Sequence, residues 1–149
     1  SLKTGRVFLM DTTILAPAAV LVAWSLFMLA WLAFARFGAA AKLGSKDPPA
    51  PGLRGQDIDP MLGEAAWKSH NYTHLMEQPT IFYATVFILH IAGAASPLMV
   101  KFAWAYVALR IIHSVYQAVV NKVMVRFSIF ALSTVCLLVL SVNAVMATL

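Results

Sequence analysis

Charge is scarce in this sequence: only 11% of its 149 residues are charged, whereas 61% are hydrophobic. The mean hydropathy of +0.80 is typical of membrane proteins and excludes a soluble globular domain of this size. The length accommodates about four membrane-spanning helices of roughly 20 apolar residues each, and little else. We therefore predict one all-α membrane domain, a bundle of four transmembrane helices in the lipid bilayer.

Cysteine and acidic residues are also few. The single Cys136 cannot form an intrachain disulfide, and it lies in an apolar run where packing is its expected role. Six acidic residues stand against eleven basic ones, which gives a net charge of +5. The basic residues flank apolar runs and form no stripe interleaved with aromatic residues. They therefore indicate membrane orientation, and we expect no nucleic-acid partner.

Four apolar segments predict the helices, over about residues 12–37, 60–92, 97–121 and 123–147. Glycine, proline and charged residues dominate the stretch between the first two segments, which predicts a long loop over residues 38–59. The first apolar run is too long for the core of a signal peptide and lacks a cleavage site of small residues. We therefore expect it to remain as a membrane helix.

Basic residues are concentrated on one side of the predicted bundle. The side with the long loop carries Arg36, Lys42, Lys46, Arg54, Lys68, Lys122 and Arg126. The other side carries only Lys3, Arg6 and Lys101. The positive-inside rule therefore predicts a cytoplasmic long loop, with both termini on the non-cytoplasmic side.

The stretch Trp67–Tyr83, WKSHNYTHLMEQPTIFY, places polar residues at the point where the second apolar segment begins. At about 100° per residue, His70, His74 and Glu77 share one helix face. Pro79 removes a backbone donor within this stretch, so a kink is expected beside the polar cluster. Ionisable groups at this depth are costly, and they indicate either a site or a buried pair.

Two further helices bring polar residues to a similar depth. Arg110, His113 and Tyr116 lie on the third predicted helix, and Arg126 lies in the first turns of the fourth. A buried Arg110 needs a carboxylate, a bound anion or water, and Glu77 is the internal candidate. A Glu77–Arg110 pair would fix helix packing. Alternatively, the two arginines form a pocket for an anionic, peptide-like ligand, where a guanidinium also favours a thiolate over a thiol.

Metal binding is a competing interpretation of the same residues. His70 and His74 are spaced i, i+4 and Glu77 follows three residues later, which is a workable ligand spacing on one helix face. His113 could complete such a site. A nearby Arg110 would repel a cation, so the sequence favours the anion pocket.

The run NYTHLMEQPTIFY, together with the later RIIHSVY, resembles the MAPEG family, the membrane-associated proteins in eicosanoid and glutathione metabolism. The form MEQPxxFY resembles the bacterial branch, and the resemblance covers most of the chain. It implies a homotrimer in a bacterial inner (cytoplasmic) membrane. Glutathione would be the co-substrate, bound between subunits toward the cytoplasmic side, for transferase, peroxidase or isomerase reactions on lipophilic substrates.

The resemblance also implies roles for individual residues. Arg126 would be catalytic, because it would stabilise the thiolate of glutathione, and Glu77 would hold the amino group. The other glutathione-binding residues implied by position are Arg36, Asn71, His74, Arg110, His113 and Tyr116.

Two departures from the family pattern bear on activity. Catalytic members usually carry several arginines just before the glutamate, where this chain has Lys68, His70 and His74. One turn after Arg126, active members often have a hydroxyl-bearing aromatic residue, and this chain has Phe130. The resemblance and these departures together leave competing hypotheses of function. The first hypothesis is a glutathione-dependent transferase or peroxidase that acts on lipophilic electrophiles. The alternative is a non-catalytic structural or accessory subunit that binds lipid, quinone or a larger membrane complex, and a metal-binding membrane protein is a minor third.

Overall fold

The computed structural model describes residues 12–43 and 51–149, and these residues form helices and connecting turns without strands. The α-helices are α1 (Leu15–Leu43), α2 (Gly55–Ile58), α3 (Ala66–Leu75), α4 (Gln78–Ile91), α5 (Pro97–Val119) and α6 (Val123–Thr148). Short 3-10 turns, Asp59–Met61 and Gly63–Ala65, connect α2 to α3. Lys3, Arg6 and Lys46, which the sequence analysis used to predict the orientation in the membrane, lie outside the described residues.

Among the described residues, three stretches are long and apolar enough to cross a membrane, namely Leu15–Lys42, Pro97–Val119 and Val123–Thr148. Their outer faces expose large apolar side chains such as Phe34 and Leu138, which suit contact with lipid. Helix α4 has 14 residues, fewer than the roughly 20 that one span requires. An all-helical membrane fold is therefore present, and a fourth crossing through α3 and α4 stays a prediction.

The second predicted helix differs most from the structure. In place of one helix over residues 60–92, two 3-10 turns precede α3, and Met76 and Glu77 separate α3 from α4. Glu77 has φ −87° and ψ −91°, outside the helical range. Pro79 follows in the first turn of α4, where its missing N–H needs no partner. The chain therefore breaks fully at the position where the sequence predicts only a kink.

The first helix is longer than predicted. It continues to Leu43, through residues that the sequence assigns to the long loop. The alanines at positions 39–41 explain the extension, because alanine has the highest intrinsic helix propensity.

The apolar core lies where α1, α4, α5 and α6 meet. Leu21, Phe82, Val86 and Leu140 are completely buried there. The buried polar residues of α5 belong to its second half, where they face α3 and the start of α6. The apolar core and the buried polar residues thus lie in different parts of the bundle, and the polar part contains the candidate site.

Candidate functional site

Arg110 lies in the interior of α5, and its exposed fraction is 0%. Its Nη2 donates to Nδ1 of His74 at 2.8 Å and to the carbonyl oxygen of His74 at 3.4 Å. Its Nε and Nη1 have no hydrogen-bond partner among the described residues. The guanidinium also lies 5.8 Å from the ring centroid of Phe130. Arg110 is therefore a buried cation with spare donors.

The predicted ion pair between Glu77 and Arg110 is not formed. Within residues 12–43 and 51–149, the salt bridges join Arg36 to Asp59 and Arg54 to Asp57. Glu77 is exposed, and in this part of the chain its carboxylate forms no salt bridge and acts on Arg110 only electrostatically, at longer range. The physical reason is the break after α3, because an interrupted helix no longer holds residue 77 on the face that carries His74.

Two histidines meet in front of Arg110. The rings of His74 and His113 stack with their centroids 4.9 Å apart and their planes at 22°. Phe130 packs edge-on against His74 at 5.3 Å. These three residues line a cavity of about 160 Å³, together with Val123, Arg126 and Phe127. The structure thus brings the predicted residues His74, His113 and Arg126 into one cavity, with Arg110 behind them.

Arg126 is oriented by the connection between α5 and α6. Its Nη1 donates to Oδ1 of Asn121 at 2.7 Å. Asn121 has φ +57°, in the left-handed region that asparagine tolerates better than most residues, and its N–H caps α5 by donating to the carbonyl of Tyr116 at 2.8 Å. The sequence analysis did not include Asn121 in the site, although an asparagine directly after a helix is a recognisable C-terminal signal.

Two other predicted site residues lie outside the cavity lining. Asn71 is completely buried, and its Nδ2 donates to Oγ of Ser114 at 2.6 Å. The same oxygen accepts a hydrogen bond from Nε1 of Trp24 at 2.9 Å. Asn71 therefore ties α3 to α5 and, through Ser114, to α1. Tyr116 is half-buried on α5 and does not line the cavity.

Arg36 belongs to a separate group at the end of α1, which we call the Arg36 cluster (Arg36, Asp59 and Ser69). Its Nη2 contacts Oδ1 of Asp59 at 3.0 Å and Oγ of Ser69 at 2.6 Å. The hydroxyl of Ser69 donates to Oδ2 of Asp59 at 2.6 Å. Gly55 packs directly against the guanidinium, where a Cβ would clash with it. A ligand that binds Arg36 would therefore compete with the carboxylate of Asp59 for the guanidinium. The sequence analysis did not identify Asp59 as a partner of Arg36.

The start of α4 is held by a partly buried chain of hydrogen bonds. The hydroxyl of Tyr106 donates to Oε1 of Gln78 at 3.1 Å, and Nε2 of Gln78 donates to Oγ1 of Thr134 at 2.9 Å. These contacts join α4 to α5 and α6 immediately after the break. They fix the position from which Glu77 projects.

The metal interpretation finds no support in the part of the chain that the structure describes. No group of three or more His, Cys, Asp or Glu side chains is placed there to hold an ion. His70 and Glu77 are both exposed, while Nδ1 of His74 is engaged by Arg110.

These features define an all-helical membrane protein with a cationic cavity between its helices. A family model, that of the MAPEG family, matches residues 14–146, and the chain belongs to that family. It is therefore an integral membrane protein of a family that is generally associated with glutathione. No curated protein and no solved structure matches the chain.

Proposed function

We propose that this chain is a glutathione-dependent transferase or peroxidase that acts on lipophilic electrophiles within the membrane. The observation that supports the proposal is the pair of cations. Arg110 is buried without a carboxylate partner among the described residues, behind a cavity whose wall contains Arg126. Guanidinium groups bind carboxylates and thiolates through charge-assisted hydrogen bonds, so this arrangement suits an anionic peptide thiol.

Arg126 carries the chemical step in this proposal. A nearby guanidinium lowers the pKa of a thiol from about 8.5 toward neutrality, because it stabilises the charged form. Arg126 uses one Nη1 contact on Asn121, and the side chain lines the cavity where the sulphur would lie. Thiolate attack on a lipophilic electrophile would then form the carbon–sulphur bond.

The proposal requires a second copy of the chain. The cavity volume of about 160 Å³ is below the roughly 300–1,000 Å³ of typical ligand pockets, so a whole tripeptide needs additional walls. The exposed carboxylate of Glu77 lies outside this cavity and is free to bind the amino group of glutathione. A homotrimer with glutathione between its subunits, on the cytoplasmic side of a bacterial inner membrane, would supply those walls.

The remaining predicted residues take supporting roles in the proposal. Asn71 holds α3 against α5 from behind the cavity. Arg36 keeps about a third of its side chain exposed, at 30%, and could meet a ligand carboxylate held by the neighbouring subunit. Tyr116 is half-buried and would face the same boundary.

Calorimetry of glutathione with the detergent-solubilised protein tests the proposal. We expect saturable binding, and we expect Glu77→Gln to weaken it by about tenfold or more, since hydrogen bonds to charged groups contribute roughly 1.5–3 kcal/mol. Glu64→Gln is the matched control, because Glu64 is also exposed and lies in a 3-10 turn before α3. No binding at millimolar glutathione would contradict the proposal.

One observation favours a second candidate, a non-catalytic accessory protein. Phe130 presents an apolar ring to His74, His113 and Arg110 at the position where active members resembling this chain carry a hydroxyl. Such a cavity suits the tail or ring of a lipid or quinone, or a contact with a larger membrane complex. Extraction of the purified protein followed by mass spectrometry would identify a stoichiometric lipid or quinone in that case.

A further inference from the structure

We propose that Arg110 holds His74 as a neutral imidazole whose Nε2–H stabilises the glutathione thiolate. The inference rests on the proposed function, because it names a further catalytic residue for the same reaction. Arg110 is a positioning residue in this scheme, since it acts on the thiolate through His74.

The argument begins with the hydrogen bond between the two side chains. Nη2 of Arg110 lies 2.8 Å from Nδ1 of His74. A guanidinium has donors only, so Nδ1 must be the acceptor. An imidazolium has a proton on both nitrogens and could not accept this bond. His74 is therefore neutral, and its single ring proton is on Nε2.

The ring is also fixed in direction. Its Nδ1 edge faces Arg110, so the opposite edge with Nε2 faces away from that side chain, and His74 lines the cavity. His113 stacks on one face of the ring at 4.9 Å, and Phe130 packs against it at 5.3 Å. Nε2 has no hydrogen-bond partner in residues 12–43 and 51–149, and it is not completely enclosed. A donor fixed in this way stabilises developing charge without reorganisation.

The groups around His74 determine which species it can stabilise. The charged and titratable side chains that face it are Arg110 and His113 from α5 and Arg126 from α6. Within the described residues no carboxylate forms a salt bridge with any of them, and Glu77 acts on Arg110 only at longer range. An Nε2–H donor in such surroundings favours a negatively charged sulphur.

The proton balance distinguishes this role from that of a general base. When bound glutathione ionises, its S–H bond breaks, the electron pair stays on sulphur and the proton passes to solvent water. His74 cannot take that proton while its only basic nitrogen accepts from Arg110. The thiolate then accepts one hydrogen bond from Nε2–H and is stabilised by the charge of Arg126. No thiolate–imidazolium pair is formed, in contrast to nucleophiles activated by a basic histidine.

Titration of the bound thiol tests the inference. The ultraviolet absorbance of the thiolate is followed against pH for the glutathione complex of each variant. His74→Phe keeps a planar ring but loses the donor, and we expect the thiolate fraction at neutral pH to fall about 10- to 100-fold, as expected for one hydrogen bond to a charged group. We expect kcat to fall with it and KM to stay within about threefold.

Conservative variants distinguish the role of Nε2–H as a hydrogen-bond donor from the packing of the His74 ring. His74→Gln places an amide N–H near the position of Nε2–H, and we expect it to keep the lowered thiol pKa. Arg110→Lys keeps a donor for Nδ1 and should do the same, whereas Arg110→Met frees the tautomer and should raise the thiol pKa. His90→Phe is the matched control, because His90 is at the last turn of α4 and does not line the cavity.

The outcomes distinguish the inference from the proposed function. If the wild-type protein does not bind glutathione, both fail. If it binds glutathione and His74→Phe titrates like wild type, only the role of His74 is overturned. Should His74→Phe not fold, nitrogen-15 NMR of histidine-labelled protein decides, with His74→Gln used to assign the signal. A neutral His74 with its proton on Nε2 at neutral pH is expected, and a proton on Nδ1 overturns the inference.

Discussion

Two arginines of this chain differ in how their positive charge is compensated. Arg36 meets Asp59 and Ser69, and those two residues also bond to each other. Arg110 is more deeply buried, yet its contacts with His74 leave Nε and Nη1 unpaired among the described residues. A cation that finds a carboxylate in its own chain stabilises a fold. A cation without one retains the capacity to act on a ligand, or on a neighbour that binds it.

The energetics of buried charges explain why the difference matters. Breaking a buried pair by removing one partner is strongly destabilising, because the other charge is left uncompensated. Replacing an entire buried ion pair with apolar side chains is often neutral or stabilising, and a buried charge that has no counter-charge loses no ion pair when it is replaced. The Arg36 cluster should therefore respond to substitution through stability, whereas the cavity with Arg110 behind it should respond through binding and chemistry.

The largest effect is expected at the cavity wall. Arg126→Leu removes the charge that is proposed to stabilise the thiolate, and we expect turnover of a generic electrophile to fall about 100-fold or more. Glutathione binding should stay within about threefold in calorimetry. Arg54→Leu, which removes an exposed arginine bonded only to Asp57, is the control. Unchanged turnover in Arg126→Leu would exclude this residue from the chemical step.

A smaller effect, on stability, is expected in the Arg36 cluster. Asp59→Asn leaves the Arg36 cation without its counter-charge, and we expect a loss of about 2–3 kcal/mol in the free energy of unfolding. Thermal or denaturant unfolding in detergent measures this. Asp57→Asn is matched to it, because Asp57 pairs with an arginine that is 73% exposed, and its cost should be below about 1 kcal/mol. Equal losses in the two variants would refute the structural role of the cluster.

Gly55→Ala tests the structural role of the Arg36 cluster in a second way. A Cβ at this position would overlap the Arg36 guanidinium, because it would lie only 2.7 Å from Cζ of Arg36. The side chain must shift away from Asp59, and we expect a loss of about 1–2 kcal/mol in unfolding free energy. Gly38→Ala in α1 is the control, because its added Cβ meets no atom within 4 Å among the described residues, apart from its own helix and chain neighbours. That control should be neutral or slightly stabilising, since alanine is the better helix former.

The smallest stability change is expected at the most deeply buried charge. Arg110→Met replaces a cation that lacks a carboxylate partner in the described chain, so the free energy of unfolding should change by no more than about 1 kcal/mol. The same unfolding measurement applies. A loss as large as that of Asp59→Asn would mean that Arg110 also serves mainly to hold the fold, and the contrast between the two arginines would be lost.

Local properties of the chain made much of this structure predictable. Hydropathy established an all-helical membrane domain, because any span must satisfy its backbone groups internally and present apolar side chains to lipid. The motif around Glu77 indicated the family, and the MAPEG family match over residues 14–146 confirms it. The third predicted helix carried Arg110 and His113 at the depth of the polar cluster, and both are buried.

The partners of the charged groups could not be predicted in the same way. Glu77 was the internal candidate to pair with Arg110, but the break beside Pro79 leaves its carboxylate exposed, and Arg110 bonds to His74 instead. Asp59 lies in a 3-10 turn, and it binds Arg36 across 23 residues of sequence. Hydropathy and periodicity report what one segment prefers. Hydrogen-bond partners depend on how distant segments pack, and here packing gave Arg36 a carboxylate partner and left two nitrogens of Arg110 without a partner among the described residues.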